Sequence, residues 1–163
     1  MSGQAALSLL PSGCEKNQSP SDAPRVLLAD DHDEFLQRAL SLLTDFQIVG
    51  TVHNGRDLIA EVLRLEPDVI VSDITMPIMT GIEAAHELRE AGSTARLVFL
   101  TVHEEPAFLH ACFAEGALGY VIKSHLGTDL IPAINEALSR HRFISPSIPA
   151  ESSGRQTLPP PVR

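Results

Sequence analysis

The chain reads as an α/β protein with a doubly wound, five-stranded parallel sheet. Three observations predict this. Five short apolar runs alternate with five stretches of helical spacing. The runs lack the polar alternation of a half-exposed strand, as expected where helices cover both faces of a sheet. Four of the five end in polar residues able to carry chemistry, at the edge where ligands bind in such folds.

The first strand is Val26-Leu27-Leu28-Ala29, ending in Asp30-Asp31. Phe35, Leu36, Ala39, Leu40, Leu42 and Leu43 then recur at helical spacing from Asp33 to Thr44. Gln47 to Val52 is the second strand, broken by Asn54-Gly55. Leu58, Ile59, Val62, Leu63 and Leu65 mark the second helix, which Glu66-Pro67 stops. Val69-Ile70-Val71-Ser72 is the third strand, ending at Asp73. A loop with Met76-Pro77 and Gly81 leads to a helix from Ile82 to Glu90. Leu97 to Leu100 is the fourth strand, ending at Thr101, and Pro106 to Glu115 is helical. Leu118 to Ile122 is the fifth strand, followed at once by Lys123. Thr128 to His141 is the last helix, where Pro132 fits only within the first turn.

The 163 residues hold a single domain between two tails. Eight of the twelve prolines lie outside residues 25–142. Residues 1–24 and 143–163 read as disordered, the latter as a linker remnant and a Pro-rich tail. Twelve Lys and Arg oppose 21 Asp and Glu, for a net charge of −9. Each sign occurs three times in the tails, so the whole excess falls on the domain. That balance excludes a basic face spread over the molecule, and DNA binding is not expected. No apolar run approaches the roughly 18 residues of a membrane span. No basic residue precedes the short apolar stretch Ala5 to Leu10, so no secretory leader is read. Cys14 and Cys112 make no zinc spacing and no disulfide framework. A reducing cytoplasm is the expected location, with Cys112 in the core.

In a parallel sheet Asp30, Asp31, Asp73, Thr101 and Lys123 converge at one edge. Singly, each has a plainer role as turn former, helix cap or surface charge. Together they form a specific chemical set. Three clustered carboxylates repel, and a hard divalent cation relieves them. A carboxylate can also act as a nucleophile towards phosphorus. Mg²⁺ and an ammonium group can neutralise a moving phosphoryl group, and a threonine hydroxyl can donate to it.

The sequence resembles the response-regulator receiver domains of two-component systems over about residues 25–145. The motifs are Leu28-Ala29-Asp30-Asp31-His32, Asp73-Ile74-Thr75-Met76-Pro77-Ile78-Met79-Thr80-Gly81, Leu100-Thr101 and Gly119-Tyr120-Val121-Ile122-Lys123. They are most similar to the subfamily whose receivers precede a LuxR-type helix-turn-helix. The resemblance implies a flavodoxin-like sheet of order 2-1-3-4-5. It implies that Asp73 is the phosphoacceptor. Asp31 and Asp73 would ligate Mg²⁺ with the backbone carbonyl of Thr75, and Asp30 would act mainly through a metal-bound water. Lys123 would pair with phosphoryl oxygens. Thr101 and Tyr120 would form the switch, biasing a face built from the fourth helix, fifth strand and fifth helix. A sensor histidine kinase or phosphotransfer protein is the implied phosphodonor, and homodimerisation on activation is known in such receivers. Thr75 and His103 stand where the family tunes acyl-phosphate lifetime.

Ser124 stands where many receivers carry proline, which leaves the family's cis peptide in question. Asp33 adds a fourth acid, suited to the first turn of a helix. Val102 is larger than the residue often found there and would narrow access to Asp73. Arg142 to Ile148 resembles the start of a linker, but no helix-turn-helix pattern follows. The chain is therefore expected to signal by protein contact, as a stand-alone receiver or a truncated transcriptional regulator. Three other readings compete. Asp31-His32-Asp33 resembles the Asp-x-Asp of haloacid-dehalogenase-type phosphatases, but leaves the Asp73 and Lys123 motifs unexplained. A phosphorylation-independent scaffold would not need the acid cluster. His86-Glu87-Leu88-Arg89 echoes a kinase phosphoacceptor box, but Glu90 departs from it.

Overall fold

The computed structural model describes residues 23–148. Residues 1–22, with Cys14, and 149–163 of the two expected disordered tails lie outside that range. Six strands form one parallel sheet: β1 (Arg25–Ala29), β2 (Gln47–Val52), β3 (Val69–Ser72), β4 (Arg96–Thr101), β5 (Gly119–Ile122) and β6 (Phe143–Ile144). Their order is β2-β1-β3-β4-β5-β6. Five helices connect them: α1 (Asp33–Leu42), α2 (Gly55–Leu65), α3 (Gly81–Glu90), α4 (Pro106–Ala114) and α5 (Leu126–Leu138).

The strand pleat sorts side chains onto two faces. Leu27, Ile70, Phe99 and Tyr120 pack with Leu58, Val62, Ala84, Leu88 and Leu109 of α2, α3 and α4. Their neighbours Val26, Leu28, Val71, Val98 and Val121 pack with Leu36, Ala39, Leu130 and Ile134 of α1 and α5. Each fully buried Leu or Ile contributes about 2 kcal/mol of apolar transfer. The helices start where local chemistry allows. Asn54 accepts from the Asp57 amide at 2.8 Å to cap α2. Thr80 and Glu83 form a reciprocal capping box at α3. Pro106 opens α4, where its missing N–H costs nothing. No side chain caps α1, but Asp33 and Glu34 place negative charge in its first turn.

The structure corrects the sequence reading in three places. The sheet has a sixth strand, and the domain continues past residue 142: Phe143 and Ile144 pair with Gly119 and Tyr120, and Ile148 is buried in the core. A two-residue strand is too short to show a period, so this segment read as linker. The last helix begins at Leu126, after a 3₁₀ turn at Lys123–His125. Pro132 therefore sits inside the helix rather than in its first turn. It lies on the exposed side, where water can reach the carbonyl it leaves without a donor. Every peptide bond of the described residues is trans, that between Lys123 and Ser124 included.

Candidate functional site

The strand order reverses between β1 and β3, which opens a crevice at their carboxyl ends. Asp30 and Asp31 follow β1, and Asp73 follows β3. Asp30, Asp31, Asp73 and His32 each offer a ligand atom, all within 4.8 Å of one another. Lys123 reaches the same place from the end of β5. Its Nζ lies 2.7 Å from Asp30 Oδ2 and donates to Asp73 Oδ2 at 3.2 Å. The side chains of Asp30, Asp73 and Lys123 are all at least nine-tenths buried.

The loop after β3 explains how Asp73 is held. Its Oδ1 accepts from the Ile74 amide at 2.7 Å. Gly81 begins α3 against it, where a Cβ would overlap the Asp73 carbonyl oxygen. Ile78 makes the turn between them at φ 70°, with its side chain exposed. A β-branched residue in that region carries strain of roughly 1–3 kcal/mol.

Burial pushes the Asp73 carboxyl above its ordinary range. Lys123 opposes that shift and Asp30 adds to it. Among the described residues Asp30 Oδ2 is buried with no hydrogen-bond partner, and the Lys123 ammonium meets it as an ion pair at 2.7 Å. Three clustered carboxylates with only one ammonium among them fit a hard divalent cation such as Mg²⁺. Asp30, Asp31 and Asp73 are the residues able to hold it.

A second cluster joins this pocket to β4 and β5. Thr101 is buried, and its Oγ1 accepts from the His103 amide at 3.0 Å. Among the described residues the hydroxyl's own proton has no acceptor. Tyr120 points inward, fully buried, and donates to the His103 carbonyl at 2.7 Å. Burial raises the Tyr120 phenol far above its usual range, so it remains a donor. The His103 ring stacks on Phe108 of α4 at 4.0 Å, and its Nε2 lies 2.9 Å from Thr75 Oγ1. His103 thus ties together Thr75, Thr101, Tyr120 and α4.

The structure brings together Asp30, Asp31, Asp73 and Lys123, and places Thr101, Thr75 and Tyr120 around them. Asp33 is left out. It is exposed in the first turn of α1, 3.1 Å from His53 Nε2. The phosphatase reading, which needs Asp31 and Asp33 as a pair, loses its acid/base there. His86 lies exposed on α3 against Glu115. Cys112 is buried in the core, with its thiol pushed up to about 12. Val102 is exposed.

Two contributors were not visible in the sequence. Phe35 lies under Lys123, with Nζ 4.1 Å from its ring centroid. Its place in an apolar helical stripe hid that contact. His32, exposed beside the pocket, has its Nδ1 3.1 Å from Asp31 Oδ1 and 3.3 Å from Asp30 Oδ1.

Fold and pocket define a doubly wound α/β domain with an acid cluster and a lysine at its switch point, the class of the two-component receivers. Residues 26–135 match the response regulator receiver domain, and the chain belongs to that family. It is 32% identical over 127 residues to the uncharacterized transcriptional regulatory protein YvfU of Bacillus subtilis, covering 76% of this chain and 64% of that protein. It is 33% identical over 127 residues to the response regulator GacA of Pseudomonas viridiflava, covering 76% and 59%. The chain thus spans about three-fifths of the length of these relatives. Among solved structures it resembles a LuxR-family two-component response regulator from Aurantimonas sp. SI85-9A1. The TM-score is 0.74 and the identity 30%, covering 83% of this chain and 98% of that one. The receiver domain of the putative response regulator NarL from Mycobacterium tuberculosis follows. Its TM-score is 0.67 and its identity 29%, covering 72% and 97%. Among the described residues no helix is long and apolar enough to cross a membrane.

Proposed function

We propose that this chain accepts a phosphoryl group on Asp73 from a histidine kinase or phosphotransfer protein, and then changes a protein-interaction face. One observation carries the reading. The buried Asp73 carboxylate receives the Lys123 ammonium at 3.2 Å and shares a 4.8 Å cluster with Asp30 and Asp31. A structural aspartate has no need of that company.

In this reading an Asp73 carboxylate oxygen attacks phosphorus in line. The P–N bond to the donor's imidazole breaks, the nitrogen keeps the electron pair, and solvent returns a proton to the donor. The product is an acyl phosphate. Mg²⁺ held by Asp30, Asp31, Asp73 and the Thr75 carbonyl would supply charge neutralisation. Lys123 turns from Asp73 and Asp30 to the incoming phosphoryl oxygens. The free Thr101 proton is available to donate to one of them. Movement of Thr101 alters its bond with the His103 amide, and so reaches Tyr120 and α4 through one residue. The output is a population shift across α4, β5 and α5, read by a protein partner. Net charge −9 argues against direct DNA contact by this domain.

Intact-mass measurement after incubation with acetyl phosphate tests the proposal. The expected result is one phosphoryl adduct that requires Mg²⁺ and is absent in Asp73→Asn. A folded wild-type chain that binds Mg²⁺ and takes up no phosphoryl group would overturn it in favour of a phosphorylation-independent scaffold.

A further inference from the structure

Ser145 lies beyond the 26–135 match to the receiver family, yet it is completely buried. Its amide donates to the Tyr120 carbonyl at 2.9 Å, which continues the pairing of β6 with β5. Its hydroxyl does something a strand cannot do by itself. Oγ accepts from the Ile122 amide at 3.0 Å and donates to Asp129 Oδ2 at 2.6 Å. Asp129 is a buried carboxylate in the first turn of α5, and its other oxygen accepts from Thr128 Oγ1 at 3.0 Å. A hydroxyl that donates to a carboxylate becomes a better acceptor, so the chain from Ile122 to Asp129 strengthens along its length.

The position of this chain matters more than its strength. Ile122 is the last residue of β5, and the next residue is Lys123. On one side Ile122 is in register with Thr101 of β4. On the other side its amide rests on Ser145. The backbone that launches Lys123 towards Asp73 is therefore clamped between the switch threonine and a residue from the C-terminal segment. The segment itself is fixed at both ends. Arg142 lies over the Phe113 ring at 4.3 Å, and Ile148 enters the core.

We infer that Ser145 is a positioning residue for phosphoryl uptake: with Asp129, it holds the end of β5 so that Lys123 meets the phosphoryl group on Asp73. This rests on Asp73 as phosphoacceptor. It makes residues 143–148 part of the reacting apparatus. Loss of the hydroxyl leaves the Ile122 amide and Asp129 both short of a buried partner. Small displacements of a charged group cost rate steeply, even when the fold survives.

The test uses the full chain and acetyl phosphate with Mg²⁺, with adduct formation followed by intact mass. Ser145→Ala is expected to slow uptake about tenfold at saturating phosphodonor, with the Mg²⁺ half-saturation unchanged. Ser145→Thr, which keeps the hydroxyl, is expected to restore the rate. Asp129→Asn keeps an acceptor for Ser145 without the charge, and is expected to slow uptake by about threefold. Val62→Ala, far away on α2, serves as a destabilised control and should keep the wild-type rate. Wild-type uptake in Ser145→Ala, or failure of Ser145→Thr to restore it, would overturn the inference while leaving the Asp73 reading intact. A rate loss in Val62→Ala equal to that in Ser145→Ala would reduce Ser145 to a stability role. If Ser145→Ala does not fold, Asp129→Asn decides, and an unchanged rate there overturns the inference. Absence of any adduct in the wild-type chain would refute the Asp73 reading, and this one with it.

Discussion

Lys123 and Phe35 meet face-on, with the ammonium 4.1 Å from the ring centroid. The lysine thus has two carboxylates in front and an aromatic face beside it. A ring cannot compete for hydrogen bonds, so it holds the ammonium without taking donors from Asp30 and Asp73. Phe35→Leu keeps apolar bulk and removes the quadrupole. It should cost about 1 kcal/mol in thermal unfolding and slow phosphoryl uptake several-fold. Calorimetry and intact mass on one preparation check both; equal values for variant and wild type would show that the contact is incidental.

The raised Asp73 carboxyl sets a pH dependence. The folded state holds that proton at pH values where the unfolded chain, near the ordinary value of about 3.9, has lost it. Stability from this group is therefore greatest below the unfolded value, and falls as pH rises towards the folded one. Asp73→Asn removes the burden. Without divalent cation at pH 7, the variant should melt above the wild type, and the gap should close below about pH 4. Mg²⁺ should raise the wild-type Tm and leave that of Asp73→Asn less changed. Thermal scans from pH 3 to 8, with and without EDTA, measure all of this.

Gly81 sits where a Cβ would overlap the Asp73 carbonyl oxygen. Gly81→Ala must push α3 away from β3 or shift Asp73 itself. The expected cost is about 1–3 kcal/mol of stability, with weakened Mg²⁺ binding. Urea unfolding and a metal titration test it, and a variant as stable as the wild type would show that the loop yields freely.

Ile78 carries strain in the turn above Gly81. Asparagine tolerates the left-handed region far better, and the Ile78 side chain is mostly exposed, so little burial would be lost. Ile78→Asn should gain about 1 kcal/mol, seen as a higher urea midpoint at unchanged slope. A lower midpoint would mean that the isoleucine earns its place by contacts in the folded state.

Much of the fold was legible because its strands are short, apolar and doubly covered, and punctuated by Asn54-Gly55, Glu66-Pro67 and Met76-Pro77. The pocket was legible because parallel strands send their last residues to one edge, so Asp30, Asp31, Asp73 and Lys123 could be grouped without coordinates. Contacts between distant elements were not legible. Phe35 obeys the period of α1, and nothing in that period says which atom will lie over its ring. Phe143 to Ser145 occupy one hydrogen-bonded edge for too few residues to leave a pattern. Pro132 argued locally for an early position in α5, but packing of Leu126, Leu130 and Ile134 against the sheet outweighed it.

The brevity of β6 has a consequence for how the molecule behaves in company. Among the described residues, β5 is met along its outer margin by Phe143, Ile144 and the amide and hydroxyl of Ser145. A chain cut after residue 142 would keep every member of the acid pocket and yet present a bare strand margin of Gly, Tyr, Val and Ile. Such a margin recruits other strands, so the shortened protein should self-associate more readily than the chain that retains residues 143–148. Colloidal behaviour, as much as chemistry, would then hang on six residues at the rim of the sheet.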